Sequence, residues 1–286
     1  MRFYIESKTG DGSWCPLEVL QYFSYEESSY EECDYIISTS IPFSCTDLGI
    51  IQKVMDSYRS IDKKVIVFFL SDYNHEIDVP LHVLLFRSGM FRSQQKPNEF
   101  LLPYIWVLHE LKGEHAFTPL EKRGRYPLVG FCGSIISDPC RIRHVDRLRQ
   151  SIAIKTKFLL RTAYWAGKNG DQTVIDEFKK NVESTYFTLC SRGTGNFSSR
   201  FYQVLYMGRI PIVVNTDMVL PLEDRINWND VIVWCQTEEE LVSKTKEWWN
   251  KDMVSAQIKC KEIYEQYLQP AKWCEIIQKE ILIPRI

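Results

Sequence analysis

Residues 186 to 221 read YFTLCSRGTGNFSSRFYQVLYMGRIPIVVNTDMVLP, and the order of elements in this stretch decides the fold. An apolar strand, Tyr186 to Cys190, runs into a loop whose Gly193, Gly195 and Asn196 tolerate backbone turns that larger side chains obstruct. Ser198 or Ser199 is expected to cap a helix reaching Met207, Gly208 takes the position just past its end, and Ile210 to Val214 return as a second strand. Strand, glycine loop, helix and strand in that succession predict an α/β fold with a parallel sheet.

The same alternation extends outward in both directions. Phe3 to Ile5, Tyr35 to Ser38, Val65 to Leu70 and Val83 to Phe86 read as strands of a first half. Thr46 to Tyr58, with Leu48, Ile51, Val54, Met55 and Tyr58 at helical spacing, reads as a covering helix. GEHAFTPLEKRGRY, Gly113 to Tyr126, is polar and lacks apolar periodicity, which marks a linker. Beyond it Leu128 to Cys132, Lys157 to Leu160 and Val231 to Trp234 read as strands, and Glu238 to Trp249 and Val254 to Gln266 as helices. The expected organisation is two Rossmann-like domains facing a cleft, residues 1–124 and 125–266, with a C-terminal helix in 267–286 running back onto the first.

The totals agree with this size and class. A chain of 286 residues that is 45% hydrophobic and 25% charged suits two cored domains. A net charge of -2, from 35 basic and 37 acidic residues, gives no global field for a nucleic acid or a membrane surface. The nine cysteines are scattered and never form C-x-x-C, so a reducing compartment is the simpler setting. No run approaches the roughly 18 apolar residues of a membrane span, and a cytoplasmic location is expected. No D-x-D occurs, so no metal and no other cofactor is expected.

The chemistry lies in the glycine loop. A helix start offers free N–H groups and about half a positive charge, which suits a phosphate but cannot neutralise a diphosphate. Full cations are needed, and Arg192 and Arg200 flank the loop. Shielded, such bonds contribute about 1.5 to 3 kcal/mol each, whereas exposed pairs contribute about 0 to 1. A second basic group, SIISDPCRIRHVDRLR, carries Arg141, Arg143, His144, Arg147 and Arg149; a solvated helix face is its alternative explanation, since Arg143 and Arg147 are one turn apart beside Asp146.

These residues resemble the exostosin-like glycosyltransferases. The matching positions are Arg192, Gly193, Gly195, Ser198, Arg200, Phe201, Leu205, Gly208, Ile210 and Pro211, followed by Asp217, Leu220, Pro221, Asp224, Ile226 and Trp228. The resemblance is strong over about 45 residues of the second half, and in the first half concerns layout alone. It implies a GT-B fold and transfer with inversion from a nucleotide sugar, usually of uridine, to a hydroxyl of a glycan or glycoprotein acceptor, with UDP-xylose as the single donor of choice. It also implies a donor-binding set of Arg141, Arg143, Arg192, Gly193, Gly195, Asn196, Ser198, Ser199, Arg200, Gln203 and Asp217. Gln203 stands where the family commonly has a glutamate for the ribose hydroxyls; an amide still accepts one hydrogen bond and donates another. Eukaryotic members are typically anchored in the Golgi membrane, so the sequence suggests a bacterial-type or virus-encoded cytosolic member.

Inverting transfer needs a base on the opposite domain. Loops after parallel strands line such clefts, which points to Asp72 after VIVFFL, then to His75, with Glu76 and Asp47 behind. Arg87 is expected in a salt bridge or at a phosphate, and Trp106, Trp165, Trp228, Trp234, Trp248 and Trp249 either stack on sugar rings or fill the core. Two rival classes remain. Gly193-x-Gly195-x-x-Ser198 with Asp217 about 20 residues on also suits an NAD(P)-dependent oxidoreductase, and a non-catalytic nucleotide-sugar or glycan binder would carry the same loop.

Overall fold

The apolar runs assemble into two parallel β-sheets with helices packed around them. The computed structural model describes residues 1–6, 15–41, 44–104, 111, 117–167 and 170–282. The first half comprises β1 (Arg2–Ile5), α1 (Cys15–Leu20), β2 (Glu26–Glu27), β3 (Tyr35–Ser38), α2 (Leu48–Ser57), β4 (Lys64–Phe69), β5 (Val83–Arg87) and β6 (Glu99–Leu101). Its six strands lie in the order β2-β1-β3-β4-β5-β6. Asp47 starts α2 by accepting from the N–H groups of Gly49 and Ile50, and Ile51 and Met55 then face the sheet fully buried.

The second half comprises β7 (Leu128–Ser134), α3 (Pro139–Arg149), β8 (Lys155–Arg161), α4 (Gln172–Glu183), β9 (Phe187–Leu189), α5 (Arg200–Tyr206), β10 (Ile210–Val214), β11 (Val233–Cys235), α6 (Leu241–Trp249), α7 (Met253–Ile263) and α8 (Pro270–Ile277). Its five strands run parallel in the order β11-β10-β9-β7-β8. The chain is thus α/β with two Rossmann-like sheets, the architecture of a GT-B protein.

Several boundaries move for local reasons. Helix α5 begins at Arg200 rather than Ser198, and Ser199 makes no side-chain cap bond, because its backbone is already helical (φ -54, ψ -30) where a cap needs an extended one. Gly208 does follow the helix with φ 63, and a Cβ there would strike the Phe117 ring at 2.2 Å. Strand β8 exceeds the expected Lys157 to Leu160 because it pairs with β7 from Lys155 to Arg161. A 3-10 turn at Trp228–Asp230 displaces β11 toward Cys235, and another at Glu238–Glu240 delays α6 to Leu241.

Helix α8 returns to the first sheet. Trp273, Cys274 and Ile277 share a core with Phe3, Phe68 and Phe86, Trp273 meets Phe86 edge-on at 5.8 Å, and the Tyr35 hydroxyl donates to the carbonyl of Leu282 at 2.6 Å. Trp228, Trp248 and Trp249 are core residues and so unavailable to a sugar, while Trp234 is half-buried against the same core. Trp106 and residues 113–116 of the linker lie outside the described residues, as does the side chain of Trp165.

The halves are joined at the strand ends. Phe91 bridges Met218 in antiparallel fashion, the Arg92 N–H donates to the Asp217 carbonyl at 2.7 Å, and the Arg92 guanidinium pairs with Glu223. Asp217 takes a left-handed backbone (φ 60), and its carboxylate accepts from the Ser93 N–H at 3.1 Å and from the Ser93 hydroxyl.

Replacing Trp273 with Ala should remove a fully buried indole from the first core and cost about 3 to 5 kcal/mol. Urea unfolding checks it; a loss below about 1 kcal/mol would mean that α8 is not integral to that core.

Candidate functional site

The site is built around the end of β7. Arg200, in the first turn of α5, donates from Nη2 to the Cys132 carbonyl at 2.8 Å and lies over the Phe131 ring at 4.5 Å. The residue is only 8% exposed, and its Nε and Nη1 have no hydrogen-bond partner. Burial lowers its pKa, the thiols of Cys190 and Cys132 oppose that, and the neighbouring Arg161 adds to it. Gly133 permits this approach: its φ is +152, and a Cβ there would stand 2.4 Å from Arg200 Nη2.

Arg141 is delivered by α3, which Asp138 caps through the Cys140 N–H and Pro139 opens. Its guanidinium is wrapped by carbonyls, with Nη1 to Ser134 at 2.7 Å, Nε to Arg192 at 2.7 Å and Nη2 to Ser191 at 3.3 Å. Burial pushes it down to about 10, aided by Arg200, so it stays cationic at neutral pH. One turn on, His144 Nδ1 meets the Ser191 hydroxyl at 2.8 Å and pins the same loop. Among the described residues neither Arg141 nor Arg200 has a carboxylate in ion-pair contact. Two cations with no carboxylate in ion-pair contact among the described residues, one of them with idle donors, can receive an anion.

Asp72 faces this pair from the first half. It follows β4, accepts from the Gly195 N–H, and has its pKa raised by burial, with Gly195, Arg141 and Arg192 pulling the other way. Its loop is held from both sides. Arg87, in a buried pair with Glu99 at 3.2 Å, donates to the carbonyls of Tyr73 at 2.7 Å and His75 at 3.1 Å. Asn74 accepts from the Asn196 N–H at 2.6 Å and donates to the Thr194 carbonyl at 3.2 Å. Arg87 is therefore a structural cation and does not line the cavity that Asp72 shares with Arg141 and Arg200.

These groups share a cavity of about 210 Å³. Its polar wall is Asp72, Ser134, Arg141, Arg161, Gly193, Thr194, Ser198, Ser199, Arg200 and Gln203; its apolar wall is Tyr104, Leu111, Val174, Ile175, Phe178 and Phe197. The Tyr164 hydroxyl bonds the Thr194 hydroxyl at 2.8 Å at its rim. Gln203 is buried in the wall.

Several expected site residues stand elsewhere. Arg192 folds back onto Asp138 at 3.3 Å and onto Asn196 Oδ1 at 3.0 Å, and does not line the cavity. Arg143 pairs with Glu238 at 2.9 Å on the solvated side of α3. Asn196 donates to the carbonyls of Met90 and Thr216, both at 3.1 Å, and so joins the halves, as Asp217 does through Ser93. His75 is exposed, its ring between Tyr73 and Phe91, each 5.8 Å away. Gly193 and Gly195 keep negative φ; a Cβ would lie 3.3 Å from Arg141 Nη2 at the first and 2.8 Å from the Asp72 carboxylate at the second, so close approach is what they serve. Arg161 and Asn74 carry no sequence signal of their own, since strand pairing and loop docking bring them to the site.

No family model matches the chain. Over 62 residues it is 29% identical to a protein named probable glucuronosyltransferase of Oryza sativa subsp. japonica, covering 22% of this chain and 14% of the rice protein. Over the same length it is 29% identical to probable beta-1,4-xylosyltransferase of Arabidopsis thaliana, covering 22% of this chain and 15% of that protein. The matched segment is thus a small part of these curated relatives, both of which are named as glycosyltransferases.

Gly133→Ala should push Arg200 from its seat and weaken pyrophosphate binding about tenfold or more, read by calorimetric titration; unchanged affinity would contradict the seat. Burial pushes His144 down to about 4 from 6.5, against the pull of Glu238. The unfolded chain therefore takes the proton first, and stability should fall as pH drops from 6.5 toward 4. His144→Gln should flatten that fall in denaturant melts; an unaltered slope would mean the ring is protonated in the fold.

Proposed function

We propose that the protein is an inverting glycosyltransferase that moves a sugar from a UDP-sugar to a hydroxyl of a glycan acceptor, and that UDP-xylose is the donor to test first. The observation that carries this reading is Arg200, buried beside Arg141 with idle Nε and Nη1, across a cavity from Asp72. The diphosphate would accept from Arg200 and from Arg141. These cations supply the positive charge that a divalent metal supplies in other sites, so the reaction is proposed to be metal-independent.

In the reaction, Asp72 takes the acceptor hydroxyl's proton as the acceptor oxygen bonds the anomeric carbon. The bond from that carbon to the diphosphate oxygen breaks, its electron pair leaves with UDP, and the arginines stabilise the charge. Asp72 is solvent-accessible and can meet an incoming hydroxyl, and partial desolvation by its surroundings raises its pKa, which strengthens it as a base. The Gln203 amide would meet a donor hydroxyl as both donor and acceptor. The oxidoreductase alternative loses its ribose ligand, because the Asp217 carboxylate is taken by Ser93 outside the cavity.

Arg200→Ala should weaken UDP binding about 10- to 150-fold, the equivalent of about 1.5 to 3 kcal/mol, with the melt largely preserved. Asp72→Asn should keep UDP affinity and abolish transfer from labelled UDP-xylose or the other UDP-sugars of a panel. Full turnover in Asp72→Asn would move the base elsewhere, and wild-type protein that binds UDP but turns over no donor with any acceptor would favour the non-catalytic binder.

A further inference from the structure

Arg161 is the last residue of β8 and lines the same cavity as Arg141 and Arg200. The β7–β8 register explains why. Arg161 pairs with Ser134, whose carbonyl holds Arg141, and two residues back along β7 the Cys132 carbonyl holds Arg200. Neighbouring strands lie about 4.8 Å apart, so three guanidinium stems gather at one strand end. Arg161 differs in having a counter-ion, Glu177 of α4. Its side chain is 12% exposed whereas that of Glu177 is 48% exposed, so the cation lies on the cavity side and the carboxylate stands in water. A pair with one member so hydrated binds weakly and exchanges readily. Arg161 also contributes to lowering the pKa of Arg200, as a like charge in the same small space does.

We propose that Arg161 is a third cation for the anion of the ligand, held by Glu177 while the cavity is empty and transferred to a phosphate when the ligand enters. The proposal rests on the anion reading of the cavity and adds a residue and an exchange to it. A phosphate between Arg200 and Arg161 would accept from the idle Nε and Nη1 of the first and from Nη2 of the second once Glu177 releases it. Glu177 then acts as a competitor that sets donor affinity.

The test is calorimetric titration of pyrophosphate and of UDP into the full chain and into Arg161→Ala and Glu177→Gln, with thermal melts of each. Arg161→Ala should weaken both probes about tenfold or more, and Glu177→Gln should tighten both by roughly threefold, effects of opposite sign from the two ends of one ion pair. A pair that is merely structural would lower both melts and leave both affinities unchanged, which overturns the proposal. Weakening for UDP with pyrophosphate unaffected also overturns it, since the contact would then be to the nucleoside. If Arg161→Ala does not fold, Glu177→Gln decides alone: tighter binding supports the exchange and unaltered binding ends it. Wild-type protein that binds neither probe defeats the anion reading itself, whereas wild-type binding with unaltered variants defeats only the role of Arg161.

Discussion

A guanidinium taken out of water without a counter-ion is the constraint on which the site depends. Arg200 is buried, tied by one hydrogen bond among the described residues to the end of β7 and supported by the face of Phe131. Leaving buried donors unpaired costs free energy unless a partner arrives, and a permanent carboxylate partner would fill the place the ligand needs. The glycine at 133, the carbonyl cage around Arg141 and the absence of an acidic contact to either arginine among the described residues follow from that arrangement.

The two halves contribute unequally. Among the described residues the second supplies the cations and most of the lining, while the first supplies Asp72, Tyr104 and Leu111. Holding that one carboxylate in place takes a buried Arg87–Glu99 pair beneath its loop and the amide of Asn74 clasped to the backbone of the glycine loop. The Asp217–Ser93 contact and the Phe91–Met218 bridge fasten the same two groups of strand ends further along. Catalytic geometry across two domains depends on such joints, because a displacement of about 1 Å at the reacting atoms costs as much as losing a catalytic contact.

The fold class was legible because its signals are local: apolar runs of strand length, helical spacing from Ile51 to Tyr58, and glycine after the short helix at Gly208. The glycine loop was legible for the same reason, being contiguous. What the sequence could not supply was the direction of each side chain. Arg192 and Arg200 are equally cationic and eight residues apart in the chain, yet one finds Asp138 and the other enters the cavity. Arg141 and Arg143 part company across the helix, one inward and one toward Glu238. Asn74 and Arg161 owe their places to contacts with loops and strands distant in sequence, which no motif records.

The buried guanidinium of Arg200 is the group proposed to receive the donor's diphosphate. Arginine side-chain Nε–H resonances followed by heteronuclear NMR, with Arg200 assigned by its loss in Arg200→Lys, test that role directly. Adding UDP should shift the Arg200 resonance in a saturable way, because an idle buried donor acquires an anionic acceptor. A resonance that stays fixed while UDP saturates the protein would contradict the account.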